Sequence, residues 1–84
     1  MAKSIFTLLE LPYGVVDAAQ ITGVSVTDTG VVCVNGDNRA VAWLEFDDLS
    51  TRRKAAKQLT QRVMAAQRGE VVEPMNWEEL GYEA

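Results

Sequence analysis

Residues 44–48 read Leu44-Glu45-Phe46-Asp47-Asp48, and they mark the point where a strand-like run gives way to a predicted helix. Asp48 is placed to cap that helix, because its carboxylate can accept hydrogen bonds from the free N–H groups of the first turn. Asp47 adds negative charge near the positive end of the helix dipole. A Mg²⁺ site built from Glu45, Asp47 and Asp48 is the alternative, since this cation takes oxygen ligands. No phosphate-binding loop accompanies the three acids, and we therefore favour capping.

The residues after this junction predict one long helix, from about residue 49 to residue 68. Apolar side chains recur there at steps of three and four residues, which places them on one face of a helix. Gly69 follows and suits the left-handed conformation that ends many helices. The apolar stripe consists of Leu49, Ala56, Leu59, Val63 and Ala66. Because alanine supplies much of it, we expect the helix to approach the sheet closely.

Four segments before the helix carry strand signals, at about residues 5–11, 21–27, 31–35 and 39–46. Turn residues separate them: Pro12 and Gly14, then Asp28-Thr29-Gly30, then Asn35-Gly36. Gly30 is expected to supply the positive φ of its hairpin, and Asn-Gly is a strong hairpin signal. Residues 17–20 fit either a helical turn or a bulge.

These elements predict the α+β class, with a small antiparallel meander of about four strands packed against one long C-terminal helix. Residues 1–69 form the single domain, and residues 70–84 form an acidic C-terminal tail. Within the tail, Asn76 can cap a short helical turn that Gly81 ends. The tail either folds back over its own sheet, which we favour, or docks into a groove on a partner.

Composition excludes several classes of function. The chain has 84 residues, a net charge of −4, one cysteine (Cys33) and no histidine. Disulfides within the chain, ordinary zinc sites and histidine-dependent catalysis are therefore ruled out. No constellation supports an enzyme that uses Tyr13, Asp47 or Asp48, so we expect neither catalysis nor a cofactor. No run approaches the roughly 18 apolar residues of a membrane span, and we expect a cytoplasmic protein with no membrane partner.

Charge is segregated along the chain. Residues 49–69 carry six basic groups and no acid, whereas residues 1–48 and 70–84 each carry a net charge of −5. The basic residues are Arg52, Arg53, Lys54, Lys57, Arg62 and Arg68. One interpretation is a solvated face neutralised by the acidic tail and sheet edges. The other is a docking face for an acidic protein or a nucleic acid, although the negative total argues against general nucleic-acid binding.

The central strands predict a second contact surface. Residues 31–34 are apolar on both faces of a strand, and Val41 and Trp43 point away from Ala42 and Leu44. One helix can cover only one face of the sheet. We therefore expect the other face to be covered by a second copy in a homodimer, with the tail as the alternative.

An overall likeness to a known class of small proteins completes the sequence-based prediction. The order of the strands, the hairpin at residues 24–31 and the junction at 44–48 before an Ala-rich helix resemble small bacteriophage accessory proteins, over about residues 4–68. Proteins of that kind commonly bind and block a host factor, including defence components, without catalysis. The resemblance implies a host-factor inhibitor or modulator, with a role in counter-defence, in the host cell cytoplasm. It assigns no functional residue.

Taken together, these features predict a non-enzymatic interaction protein that binds a host or partner protein through the basic helix face or the tail. The alternative is a nucleic-acid-associated regulator that lays residues 49–69 against phosphates. The predicted partner-binding residues are Arg53, Lys57, Arg62, Trp77 and Tyr82.

Overall fold

The structure is a computed structural model that describes residues 8–12 and 14–81. Its strands are β1 (Leu8–Leu11), β2 (Gly14–Asp17), β3 (Ile21–Val26), β4 (Gly30–Asn35) and β5 (Ala40–Glu45). A short 3₁₀ helix, Ala18–Gln20, precedes β3, and the long helix α1 spans Leu49–Gln67. The predicted α+β class is confirmed.

The described strands form two antiparallel sheets, whereas the sequence predicted one meander of about four strands. β1 pairs with β2, and β3, β4 and β5 form a three-stranded sheet in that order. The additional strand is β2, and the chain turns sharply after it, where Asp17 Oδ1 accepts a hydrogen bond from Ala19 N at 3.0 Å. The helical turn considered for residues 17–20 is thus confirmed, and it separates the two sheets. Residues 5–7 of the first predicted strand lie outside the described residues.

The β3–β4 turn requires Gly30, but not for the expected reason. In the described residues the glycines with positive φ are Gly69 and Gly81, so the prediction of a positive φ at Gly30 is wrong. A Cβ at Gly30 would instead overlap the carbonyl oxygen of Leu44 in the neighbouring strand β5. Thr27 closes the turn, because its hydroxyl oxygen accepts a hydrogen bond from Gly30 N at 2.9 Å.

The β4–β5 hairpin forms at the predicted Asn-Gly signal, yet its left-handed residue lies further along. Asn38 has a φ of 61°, a conformation that Asn tolerates better than most residues. Asn35 Oδ1 accepts hydrogen bonds from Asp37 N at 3.0 Å and from Arg39 N at 3.1 Å. A Cβ at Gly36 would meet nothing within 4 Å. The side chain of Asn35 therefore shapes this loop, and Gly36 is replaceable.

Helix α1 packs one face, its inner face, against the rest of the domain. The buried residues of α1 are Ala55, Leu59, Val63 and Ala66, and they share a core with Val31, Cys33, Ala42 and Leu44 of the sheet. Leu49 is 44% exposed and Ala56 is half-buried, so the inner face is rotated from the predicted stripe toward Ala55. Ala55 is fully buried, and a larger side chain there would overpack the contact.

The C-terminal end of α1 is fixed by a Schellman motif. Gly69 has a φ of 76°, as predicted for the residue that follows the helix. Gly69 N donates to Ala66 O at 3.0 Å, and Glu70 N donates to Ala65 O at 2.9 Å, which is the hydrogen-bond pattern of this motif. The chain reverses at this point and leads the tail back along the domain.

The described part of the tail folds back onto the domain. Met75 and Leu80 are buried members of the core, and Asn76 Oδ1 accepts a hydrogen bond from Glu79 N at 3.0 Å. Gly81 follows with a φ of 79°, so the predicted capped turn is confirmed. Trp43 is nevertheless 54% exposed, and this part of the tail therefore leaves much of that side chain uncovered.

Substituting Gly30 tests the close approach of β4 and β5. We expect Gly30→Ala to lower the free energy of unfolding by about 2–4 kcal/mol, because the new Cβ would force the two backbones apart. Gly36→Ala is the matched control, with an expected change within about 0.5 kcal/mol. Urea unfolding followed by circular dichroism measures both, and equal values for the two variants would contradict the packing described at Gly30.

Candidate interaction surfaces of helix α1 and the tail

Asp48 caps the N-terminal end of α1. Asp48 Oδ2 accepts hydrogen bonds from Thr51 N at 3.0 Å and from Thr51 Oγ1 at 3.1 Å, which confirms Asp48 as the N-cap. Among the described residues, no three side chains of His, Cys, Asp or Glu are grouped to hold a metal ion. An open groove of about 590 Å³ lies beside this end of the helix. Its lining residues are Glu45, Phe46, Asp47, Asp48, Thr51, Leu80 and Gly81.

Three of the six bases in residues 49–69 are engaged within the molecule. Arg52 Nη1 donates to Phe46 O at 3.0 Å, which ties the helix to the end of the sheet. Arg62 Nε donates to Glu73 O at 3.2 Å and its Nη2 donates to Pro74 O at 3.3 Å. The guanidinium of Arg62, one of the predicted partner-binding groups, therefore clamps the tail onto α1.

Arg68 forms an ion pair with Glu70. The Arg68 Nε to Glu70 Oε2 distance is 2.6 Å, and both side chains are largely exposed. The hydrogen bond and charge of Arg68 lower the pKa of Glu70, and Glu70 in turn raises the pKa of Arg68. In the described chain no other salt bridge is found, so the acidic tail neutralises the basic helix by direct pairing at one position.

The remaining three bases, Arg53, Lys54 and Lys57, form the outer basic patch. All three side chains are exposed, and none of them has a hydrogen bond or ion pair with another described residue. Arg53 and Lys57 are one helical turn apart, so they lie side by side on the face of α1 that points away from the core. The structure thus keeps two predicted partner-binding residues, Arg53 and Lys57, available at the surface.

The predicted contact residues in the tail have different positions. Trp77 is partly buried against the core, and its Nε1 donates to Glu10 O in β1 at 3.1 Å. This bond fixes the tail to the first hairpin, so Trp77 has a structural role. Tyr82 lies outside the described residues. The four predicted residues that the structure describes are therefore not gathered into one site: Arg53 and Lys57 are exposed on α1, whereas Arg62 and Trp77 hold the tail.

Exposed apolar residues on α1 complete its outer surface, and the sequence did not indicate them. Met64 is 50% exposed and Leu49 is 44% exposed, although the periodicity had placed Leu49 in the buried stripe. The angular positions of the residues around the helix axis would have indicated them. When the buried face is centred on Leu59, Leu49 and Met64 both lie outside it. No described helix is long and apolar enough to span a membrane.

Comparisons with protein-family models, with curated proteins and with solved structures found no match to this chain.

Cys33 lies in the core and is not a reactive site. Its side chain is fully buried, and burial raises the pKa of the thiol from 9.0 to about 11. A thiol is nucleophilic only as the thiolate, so this environment suppresses its chemistry at neutral pH.

The raised pKa of Cys33 predicts a pH dependence of stability. The unfolded chain releases the thiol proton at a lower pH than the folded chain, so the stabilisation from the neutral thiol is complete below about pH 9 and is lost toward pH 11. Between pH 8 and pH 11, we expect the free energy of unfolding to fall by on the order of 2 kcal/mol more in the native protein than in Cys33→Ala. Denaturant titrations of both proteins at pH 8 and pH 11 measure this difference, and parallel pH profiles would contradict a buried thiol.

Proposed function

We propose that this protein is a non-enzymatic interaction protein that binds an acidic surface of a partner protein through Arg53, Lys54 and Lys57. The observation that supports this proposal is the division of the six bases in residues 49–69. Arg52, Arg62 and Arg68 are held by groups of the same molecule, whereas Arg53, Lys54 and Lys57 are exposed and have no such partner among the described residues.

Helix stability does not account for the outer basic patch. Cations near the N-terminal end of a helix are disfavoured by the helix dipole, and like charges four residues apart repel each other by a few tenths of a kcal/mol. Arg53 and Lys57 have this spacing, and no acidic residue occurs in residues 49–69 to offset them. A patch that slightly destabilises its own helix is consistent with a role in binding.

A protein partner fits this surface better than a nucleic acid. Phosphates that approach the patch would also meet Asp47 and Asp48, which precede Arg53 by about one to two turns of helix. The open groove at that end has acidic lining residues, and the net charge of the chain is −4. A protein can present both signs of charge, whereas a nucleic-acid backbone presents one. We further propose that the partner is a host factor, in keeping with the likeness to phage accessory proteins.

The proposal is tested by capture from the host and by affinity measurement. We expect a protein to be enriched by the native chain and lost with Arg53→Glu/Lys54→Glu/Lys57→Glu. With the purified partner, Lys57→Glu should weaken the affinity about tenfold or more, as expected for loss of a charged contact. Arg39→Glu is the matched control, because Arg39 is an exposed base outside α1 and its reversal changes the net charge equally.

Two results would contradict the proposed function. One is a partner that binds the triple variant as tightly as the native chain. The other is tight binding of a 30-base-pair DNA duplex that is steeply salt-dependent and lost in the triple variant, which would establish the nucleic-acid alternative.

We also propose that the protein forms a homodimer through the sheet face opposite α1. Val32 pairs in register with Trp43, and both alternate along their strands with the buried residues Val31, Cys33, Ala42 and Leu44. Val32, Val34 and Trp43 give this face an uncharged centre on which two copies can pack, and Glu45 lies at its end, opposite Gly30. The outer face of α1 offers no such contact, because two basic patches would repel each other.

Light scattering tests the dimer. We expect the apparent mass to double as the concentration rises to high micromolar, and Trp43→Lys to keep the protein monomeric. A native chain that stays strictly monomeric at that concentration would contradict the proposal.

A further inference from the structure

The outer face of α1 presents a stripe that is apolar at both ends and cationic between them. Its members, Leu49, Arg53, Lys57, Thr60 and Met64, are separated by steps of four, four, three and four residues. This spacing places them on one line along a helix, and the fifteen residue steps from Leu49 to Met64 correspond to about 22 Å. We name these five residues the outer stripe.

The outer stripe combines exposed apolar side chains at its ends with exposed bases between them. Leu49 and Met64 are 44% and 50% exposed, while Arg53 and Lys57 are exposed and have no partner in the part of the chain that the structure describes. Thr60 Oγ1 donates to Ala56 O at 2.8 Å, so its hydroxyl is satisfied within the helix and its methyl group remains for contact. Met and Arg are enriched in the buried cores of protein interfaces, and the alkyl stems of Arg and Lys extend the apolar surface.

We propose that the outer stripe binds an acidic amphipathic helix of about four turns. Apolar side chains near the two ends of the partner helix pack on Leu49 and Met64, and its central carboxylates pair with Arg53 and Lys57. Helices pack by fitting rows of side chains at three- and four-residue spacing into each other, and the outer stripe has this spacing. This inference rests on the proposed function and specifies the chemistry of the partner.

A second copy of α1 is the wrong occupant for the outer stripe. In an antiparallel pair of identical helices, Lys57 near the middle of one stripe would lie close to Lys57 of the other. Each copy also brings Arg53 and Lys54, so the contact would join six cations without a carboxylate. Charge complementarity therefore requires an acidic partner.

A designed peptide tests the inference. The probe is an 18-residue helical peptide with Leu at positions 2 and 17, Glu at positions 6, 9 and 13, and Ala and Gln elsewhere. Two control peptides are a permuted version that scatters the Leu and Glu positions around the helix, and an 18-residue poly-Glu. Titration into the ¹⁵N-labelled full chain, followed by NMR, reports both affinity and location.

We expect saturable binding of the designed peptide, with shifts concentrated at the outer stripe. The permuted peptide should bind about tenfold or more weakly, since it cannot make the apolar and charged contacts together. Leu49→Ser/Met64→Ser should lower the affinity for the designed peptide about tenfold and leave that for poly-Glu unchanged. Val71→Ser is the control, because Val71 is 65% exposed outside the stripe, and it should change neither affinity. Dispersed NMR spectra verify that each variant is folded.

Four outcomes would overturn the inference, and the fourth also separates it from the proposed function. The first is equal affinity for the designed and permuted peptides, and the second is a binding site that maps away from α1. The third is a Leu49→Ser/Met64→Ser variant that binds the designed peptide as tightly as the native chain. If poly-Glu and the designed peptide bind equally and both depend on Lys57, the inference fails while the proposed cationic docking stands. Failure of the proposed function would instead appear with the captured partner, whose affinity would be the same for the native chain and for Lys57→Glu.

Discussion

The packing of the inner face of α1 on the three-stranded sheet is the constraint on which the rest of the structure depends. Ala55, Leu59, Val63 and Ala66 are buried there, and small side chains at both ends of this set let the helix lie close to the strands. Once the inner face is fixed, the direction of every other side chain of α1 follows from the helical repeat. The same contact therefore determines which bases meet the domain and which ones face solvent.

The division of the bases is the observation on which the proposed function rests. Arg52 and Arg62 donate to backbone carbonyls at the sheet end and the tail, and Arg68 pairs with Glu70. The contacts of Arg62 and Arg68 attach the tail to the helical segment, in addition to the burial of Met75 and Leu80. Arg53, Lys54 and Lys57 make no such contact with another described residue. Leu49 and Met64 add apolar area beside them. A partner surface that is acidic and partly apolar matches both properties.

Much of the fold could be predicted from the sequence because it depends on local chemistry. Contacts between residues far apart in the chain could not be predicted in this way. The cap at Asp48, the left-handed Gly69 and the turn from Asn76 to Gly81 depend on neighbouring residues, and all three were predicted. The need for Gly30 arises from Leu44 in another strand, and the separation of β1 and β2 from the main sheet depends on how the chain turns after Asp17. For the candidate site, charge counting located the basic helix. Charge counting could not show that Arg62 is held within the molecule while Lys57 is exposed, because the carbonyls that accept from Arg62 belong to the tail.

Thermal unfolding of two triple variants directly tests the proposed division of the bases in residues 49–69 into a structural set and a set left for binding. Replacing Arg52, Arg62 and Arg68 together with Gln removes contacts to the sheet end, the tail and Glu70, and it should lower the melting temperature by several degrees. Replacing Arg53, Lys54 and Lys57 with Gln changes the net charge equally, and it should leave the melting temperature unchanged or slightly raised because like-charge repulsion is relieved. Equal losses of stability in the two variants, or a larger loss in the second, would contradict this account.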